Sequence, residues 1–368
     1  MNFVCFGLEN RIRQQGDRLQ QAKNGCKSAS RSVMRKIRLI HVGLGRWGSD
    51  WARHIYPGNP DVETVAYVDQ DPIAQERTRA IVPGPAPQFF SRLEDALTDV
   101  DAEAVVLTLP LPLHAALSEK ALRAGKHVIV EKPFAQTLEE AQMLVNLARE
   151  HDRVLMVSQN YRFFPAPQAA AHFVRDGWFG QLNSVKLDFR HNAPMEGYSY
   201  WTVPDPLLVD MAVHHYDLMR MIVGEEPVEL SCRAWNPRGS PFKMPPCAVT
   251  VLSYPSGVVA SYRGSCVDQG SKTAWAGEWQ MDFEFGTLFW TSRGDRPNLD
   301  RLDRMRARRL NSEWEKIDLT SIPKHDRTGA LGAFAEAVHT GCEPPFFPSG
   351  RDNLSTLAIV AIADLKIR

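Results

Sequence analysis

From Ile37 to about Gln159 the chain alternates short apolar runs with helical patterns, and that rhythm leaves few folds open. Ile37–Val42, Val62–Val68, Ala104–Leu109, His127–Val130 and Val154–Val157 are almost continuously apolar, as strands of a parallel sheet covered on both faces must be. Helical patterns lie between them, clearest at His114–Ala124 and Leu138–Glu150, where Thr137 is placed to cap with Glu140 three residues later. Strand, helix and strand in succession predict an α/β fold with a doubly wound parallel sheet.

The first strand runs into Gly43-Leu44-Gly45-Arg46-Trp47-Gly48. Alone this pattern is weak; between a strand and a helix it is stronger. The first glycine permits a tight turn, the second lets backbone N–H groups approach a pyrophosphate, and the third lets the helix pack on the strand. Asp69 closes the second strand about twenty residues on, where a carboxylate binds ribose hydroxyls and repels a 2′-phosphate. The expected cofactor is therefore NAD rather than NADP. Arg77 and Arg79 stand too far along the next helix to reverse that preference.

After Tyr161 the pattern changes. A helix is expected at about Ala166–Asp176, a strand near Asn183–Arg190, and a Pro-rich stretch Pro194–Pro206 leading into a helix at Asp210–Val223. Strand-like runs follow at Val228–Trp235, Ala248–Tyr254, Val258–Tyr262, Trp279–Phe285 and Thr287–Trp290, with Ser256–Gly257 and Gly286 where hairpin turns fall. This describes an α+β domain with an open, mostly antiparallel sheet. The expected divisions are a dinucleotide-binding domain over 36–160, a substrate and oligomerisation domain over 161–350, and a closing helix over 351–368 that packs back on the first domain. Residues 1–35 do not match the rest: through Lys36 there are eight basic residues against two acidic ones and little apolar periodicity. One reading is an organelle-targeting segment; the favoured one is a start set too early, with Met34 as the natural first residue. Either way the segment is expected to be a disordered extension outside the fold.

Three side chains have the chemistry of proton transfer. Asp210 and His214 stand four residues apart in LLVDMAVHHYDL, about one helical turn, so a carboxylate can hold one imidazole nitrogen and leave the other to take a proton. Lys132, between Glu131 and Pro133 after a buried strand, is placed to stabilise developing negative charge. A cis bond to Pro133 is one way to fix that loop. His215 and Asp217 are read as structural.

These pieces occur in one order: Gly43–Gly48, Pro110 with His114, GKHVIVEKP ending in Glu131-Lys132-Pro133, and Asp210-x-x-x-His214-x-x-Asp217. From about Lys36 onward the chain resembles the glucose–fructose oxidoreductase/inositol dehydrogenase/rhizopine catabolism family. The resemblance implies an N-terminal Rossmann domain and a C-terminal α/β domain whose open sheet often joins subunits, so a homodimer or homotetramer is expected. It implies that Gly43, Gly45, Arg46, Trp47 and Gly48 hold the cofactor with Asp69. It further implies that Leu109, Pro110, His114, Glu131 and Lys132 line the nicotinamide side. Lys132 matches the family's active-site lysine, Asp210 its aspartate and His214 its acid/base. Arg162 is implied to lie near the cleft, where it either binds substrate or pairs with Asp217; His191, opening the stretch HNAPMEGYSYW, is a second substrate candidate. Two departures stand out: Leu109 where Thr or Ser is usual, and Ala212 where Gly is usual. Neither removes a catalytic group.

Composition excludes little but excludes it cleanly. Lys plus Arg and Asp plus Glu are both 43, a balance that gives no sign of a nucleic-acid partner. No apolar run approaches the ~20 residues needed to span a bilayer. Six cysteines without a CxxC pair are expected to be free thiols in a cytoplasmic protein, and no spacing suggests a metal. The expectation is an NAD-dependent enzyme oxidising a secondary hydroxyl of a small polyhydroxylated substrate (a sugar, inositol or related polyol). Three rivals remain open: a glycosidase-type relative using transient oxidation, one acting on sugar nucleotides or dihydrodiols, and a non-catalytic dinucleotide-binding regulator.

Overall fold

The computed structural model describes residues 35–82, 87–192, 203–296 and 298–367. The first region is built of β1 (Ile37–Val42), α1 (Arg46–His54), β2 (Val62–Val68), α2 (Pro72–Arg79), β3 (Gln88–Phe90), α3 (Leu93–Asp99), β4 (Ala104–Leu107), α4 (His114–Arg123), β5 (His127–Val130), α5 (Leu138–Glu150) and β6 (Leu155–Val157). Its six strands lie in the order β3-β2-β1-β4-β5-β6 and every pairing is parallel. Strand order therefore reverses between β1 and β4, and such a sheet opens its ligand crevice there, at the carboxyl ends of the strands. The strand at Gln88–Phe90, three residues long, is too short to show in the sequence pattern.

The second region begins with α6 (Pro165–Arg175) and β7 (Leu182–Arg190) and continues through a five-residue π-turn, Leu208–Ala212, into α7 (Val213–Val223). β8 (Glu229–Trp235), β9 (Cys247–Ser253), β10 (Val259–Ser265), β11 (Glu278–Phe283), β12 (Gly286–Thr291), β13 (Arg304–Arg309) and β14 (Glu315–Ile317) complete an eight-stranded sheet, ordered β14-β13-β12-β11-β7-β10-β9-β8. Only β7–β10 pair in parallel; the rest are antiparallel. Its inner face buries Leu187, Phe189, Trp279, Met281 and Trp290 against α6 and α7. β13 and β14 were not expected: Arg304–Arg309 carries four arginines, and only Met305 and Ala307 face the core.

Two closing helices join the regions. On α8 (Asp326–Thr340), Ala330, Leu331 and Phe334 enter the core beneath β1, with Leu39, Trp51 and Met156. On α9 (Gly350–Ile367), Leu357 enters the other face of the parallel sheet, while Ile359, Val360 and Ala363 enter the core of the second region. The closing helix thus packs on both regions rather than on the first alone. Trp51, Phe334, Trp279 and Trp290 are fully buried, each removing enough apolar surface to stabilise by roughly 1.5–3 kcal/mol. No helix among the described residues is long and apolar enough to cross a membrane. Cys232, Cys247 and Cys266 are free thiols, but Cys342 is disulfide-bonded, so the expectation of six free thiols fails there. The expectations for 1–34 and for most of HNAPMEGYSYW fall outside the described residues.

Candidate active site

At the crevice, sterics dictate two of the three glycines. Gly43 has φ +94, and an added Cβ would lie 2.9 Å from the Thr108 carbonyl oxygen. A Cβ on Gly48 would lie 1.8 Å from the Gly43 carbonyl oxygen. Gly45 meets nothing within 4 Å, which leaves the turn open on that side. α1 starts there with no side-chain cap and no acidic residue in its first turn, so its first N–H groups can receive a phosphate. The turn fits a dinucleotide.

Neighbouring loops hold that turn. Thr108 Oγ1 donates to the Gly43 carbonyl at 2.8 Å. Glu131 Oε1 accepts from the indoles of Trp47 (2.7 Å) and Trp51 (3.2 Å), tying the loop after β5 to the glycine turn. Arg46 beside them is exposed. Asp69 accepts from the backbone N–H groups of Leu44 (2.6 Å) and Asp71 (2.9 Å). Arg77, expected to stand too far along its helix to reverse the NAD preference, reaches the glycine turn: its Nη2 donates to the Leu44 carbonyl at 3.1 Å. His114 is buried between the carbonyls of Pro133 (2.8 Å) and Leu109 (2.9 Å). It staples the loop at Leu109–Pro110 to the loop at Lys132–Pro133, and so orders the cofactor edge instead of presenting a free nitrogen to it. The Lys132–Pro133 bond is cis.

Lys132 and Asp210 meet across the two regions. Lys132 Nζ donates to Asp210 Oδ1 and to the Asp210 backbone carbonyl, both at 2.8 Å. Residues 208–212 form a π-turn there, which breaks the regular i→i−4 ladder. That turn also overrides the four-residue spacing: Asp210 does not orient His214 as expected. His214 Nδ1 instead faces Gln159 Oε1 at 2.9 Å. Gln159 Nε2 donates to Asn353 Oδ1 at 3.1 Å, and Asn353 Nδ2 donates to the Ser349 carbonyl at 3.2 Å. A carbonyl can only accept, so the chain has one direction: Gln159 turns its oxygen to His214, and Nδ1 carries the proton. Among the described residues Nε2 has no hydrogen-bond partner, which leaves its lone pair for a proton. His214 stacks on Tyr161 with ring centroids 4.1 Å apart and planes 2° apart. Burial first, and then the charges of Lys132 and Arg293, hold its pKa well below the usual histidine value, so it is neutral at neutral pH.

Arg162 pairs with carboxylates. Its guanidinium binds Asp217 through two bonds of 2.6 Å and Asp352 at 2.5 Å, and its side chain is 4% exposed. Desolvating a cation needs compensation, and here two carboxylates supply it. His191 is buried against Trp275 (centroids 3.9 Å apart), with Nε2 at 3.0 Å from the Thr273 carbonyl, and burial holds its pKa at about 4. It forms the back of the cleft wall. Sequence reasoning missed Gln159, Asn353, Tyr161 and Arg293. Tyr161 immediately precedes Arg162 and Gln159 stands three residues before it, and neither carried a spacing signal; Asn353 is remote in the chain and had none. Among the described residues no group of three His, Cys, Asp or Glu side chains is arranged to hold a metal ion.

Comparison with known proteins meets this geometry. Residues 37–159 match the model of the GFO/IDH/MocA oxidoreductase family's NAD-binding Rossmann fold, and residues 168–288 match the GFO/IDH/MocA C-terminal domain. The chain belongs to this family. It is 31% identical over 199 residues to inositol 2-dehydrogenase of Rhizobium meliloti, covering 54% of this chain and 58% of that protein. It is 27% identical over 357 residues to D-apiose dehydrogenase of Paraburkholderia graminis, covering 93% and 90%. The fold superposes on aldose-aldose oxidoreductase of Caulobacter crescentus with a TM-score of 0.77, 22% identity and coverage of 90% and 97%. As a member of this oxidoreductase family the protein has the two-domain architecture expected from its sequence, with a Rossmann domain of the kind that binds a nicotinamide dinucleotide.

Proposed function

We propose that this protein interconverts a secondary hydroxyl and a ketone on a sugar, inositol or related polyol, with NAD preferred over NADP. The observation that carries the reading is the pairing at the crevice: a neutral His214 with Nε2 unpartnered beside the Lys132–Asp210 ion pair. The glycine turn, Trp47 with Glu131, and the stapled loops at Leu109–Pro110 and Lys132–Pro133 would hold the dinucleotide, which supplies the hydride acceptor when bound. His214 Nε2 takes the hydroxyl proton. Lys132 Nζ donates to the reacting oxygen and stabilises its developing charge. Asp210 holds Lys132 in place and offers its carboxylate to a neighbouring substrate hydroxyl. Asp69 supports NAD over NADP through its charge beside Leu44, and Arg77 is the residue that opposes it. The chain is cytoplasmic in this reading and assembles as a homodimer or homotetramer through the outer face of the second sheet, where Trp235, Val249 and Val259 are exposed.

The test is reduction of NAD, and separately of NADP, across aldoses, inositols, anhydrosugars and sugar acids. Reduction with one polyol class is expected. Release of sugar from a glycoside without net NADH would replace this reading with a glycosidase-type one, and binding of NAD with no turnover of any kind would favour a regulator.

A further inference from the structure

Arg293 stands on the cleft wall beside the proton-transfer residues. Its guanidinium carbon lies 4.6 Å from the Tyr161 ring centroid and 5.7 Å from that of Trp275, and Nη1 donates to the Tyr161 hydroxyl at 2.9 Å. Nε is buried without a partner. The same tyrosine carries His214 stacked on its ring, so His214 and Arg293 are both served by one aromatic side chain. The backbone holds Arg293 there at some cost. Its φ is +64, a left-handed conformation that non-glycine residues avoid, and it is pinned from both sides. The Arg293 carbonyl accepts from Trp275 N at 2.9 Å, and its own N–H donates to Asp303 Oδ1 at 3.0 Å.

Among the described residues, what Arg293 lacks is an anion. Arg162, Arg220 and Arg327 each hold a carboxylate within an ion pair. Among the described residues no carboxylate oxygen lies within 4.0 Å of the Arg293 guanidinium. Two aspartates of the same segment are committed: Asp295 accepts from the Trp275 indole at 2.7 Å, and Asp303 accepts from Ser292 Oγ at 2.8 Å and from the Arg293 backbone. A half-buried cation on aromatic faces, with donors in hand and no counter-charge, is a receptor for a planar anion.

We infer that Arg293 binds a carboxylate of the substrate, so that the hydroxyl oxidised at His214 belongs to a sugar acid, an aldonate or uronate. This rests on the hydride-transfer reading above. A carboxylate is favoured over a phosphate because the two functions are separated by one tyrosine ring, a span that suits an acid group on the same short carbon chain as the reacting hydroxyl. The arginine fork also matches a carboxylate through two parallel bonds.

Calorimetric binding to the NADH-saturated protein tests this, with D-gluconate against sorbitol, D-galacturonate against D-galactose, and D-galactose 6-phosphate as the phosphate probe. The acids are expected to bind at least tenfold more tightly than their neutral partners. Arg293→Met should remove that preference by roughly 10–100-fold while NADH affinity is kept, and Arg293→Lys should restore part of it. Neutral ligands within threefold of the acids, a phosphate that outbinds both acids, or a preference that survives in Arg293→Met would each overturn the inference. The wild-type ratios decide it if the variant does not fold. Selective binding of acids without NAD reduction would leave the carboxylate site standing and remove hydride transfer; oxidation of neutral polyols with no preference for acids would do the reverse.

Discussion

One helix and the turn before it carry two aspartates with opposite careers. Asp210, 14% exposed, shares its charge with Lys132 at the crevice beside His214. Asp217, 1% exposed, accepts from Arg162 twice at 2.6 Å and from Thr356 at 3.1 Å, and lies 4.0 Å from Arg220. Residue type is the same and both are paired. The difference is surroundings. Asp217 has its lone pairs consumed in a network that also ties α9 to α7 through Asp352, which binds both arginines. Asp210 stands on a π-turn beside His214, whose Nε2 has no hydrogen-bond partner among the described residues. On the proposed reading, a paired carboxylate is structural when it is buried within an ion network and chemical when a reacting group adjoins it.

The contrast can be broken from either side. His214→Ala should lower turnover by roughly 10²–10⁴-fold at neutral pH, the range of general acid–base catalysis, with folding intact; turnover within threefold of wild type would remove it from the reaction. Asp217→Asn should do the opposite. Leaving Arg162 under-compensated in the interior should cost about 3–5 kcal/mol in urea unfolding, with turnover per folded molecule little changed; unaltered stability would dissolve the distinction drawn here.

A pH series sharpens the comparison further. Burial depresses His41 to about 3 and both His191 and His215 to about 4, and it lowers His214 as well. A histidine whose folded pKa is depressed binds more protons unfolded, so stability rises with pH between the folded and unfolded values. Stability should therefore fall as pH drops from about 6.5 toward 4, by up to ~1.4 kcal/mol per pH unit for each such histidine. Thermal unfolding that is flat across that window would show that these rings are not held neutral. Gln159→Leu should lower kcat about tenfold with little change in KM, since it unties Nδ1 and with it the tautomer that exposes Nε2 as a base. A KM effect alone would mean the glutamine contacts substrate instead. The smallest effect is expected at Asp69→Ser, a loss of NAD over NADP selectivity measured as the ratio of kcat/KM values; an unchanged ratio would place discrimination elsewhere, with Arg77 first to be examined.

Much of the fold was legible because its signals are local. Continuous apolar runs divided by capped helices point to a parallel sheet, and Thr137 does cap its helix, accepting from Glu140 N at 3.2 Å. The short β3 and the arginine-rich β13 were not legible, since their pairing depends on neighbours rather than on their own pattern. At the site, residue types and order singled out Lys132, Asp210 and His214, and the structure brings Lys132 and Asp210 together. The partner assigned by spacing was different: pairing Asp210 with His214 assumed a regular helix where the chain makes a π-turn, and His214 Nδ1 faces Gln159 instead.

The sequence by itself determined the alternating α/β plan, the glycines that sterics require, and the presence of a base, a cation and a carboxylate. These follow from periodicity, backbone freedom and side-chain chemistry, which act over a few residues. Tertiary structure alone decided that Gln159 and Asn353 hold His214, that Asp210 serves Lys132, and that Arg293 lies on Tyr161 with no carboxylate partner among the described residues. Those outcomes depend on which polar groups are left to satisfy one another once water is excluded, and that is settled only when distant segments pack.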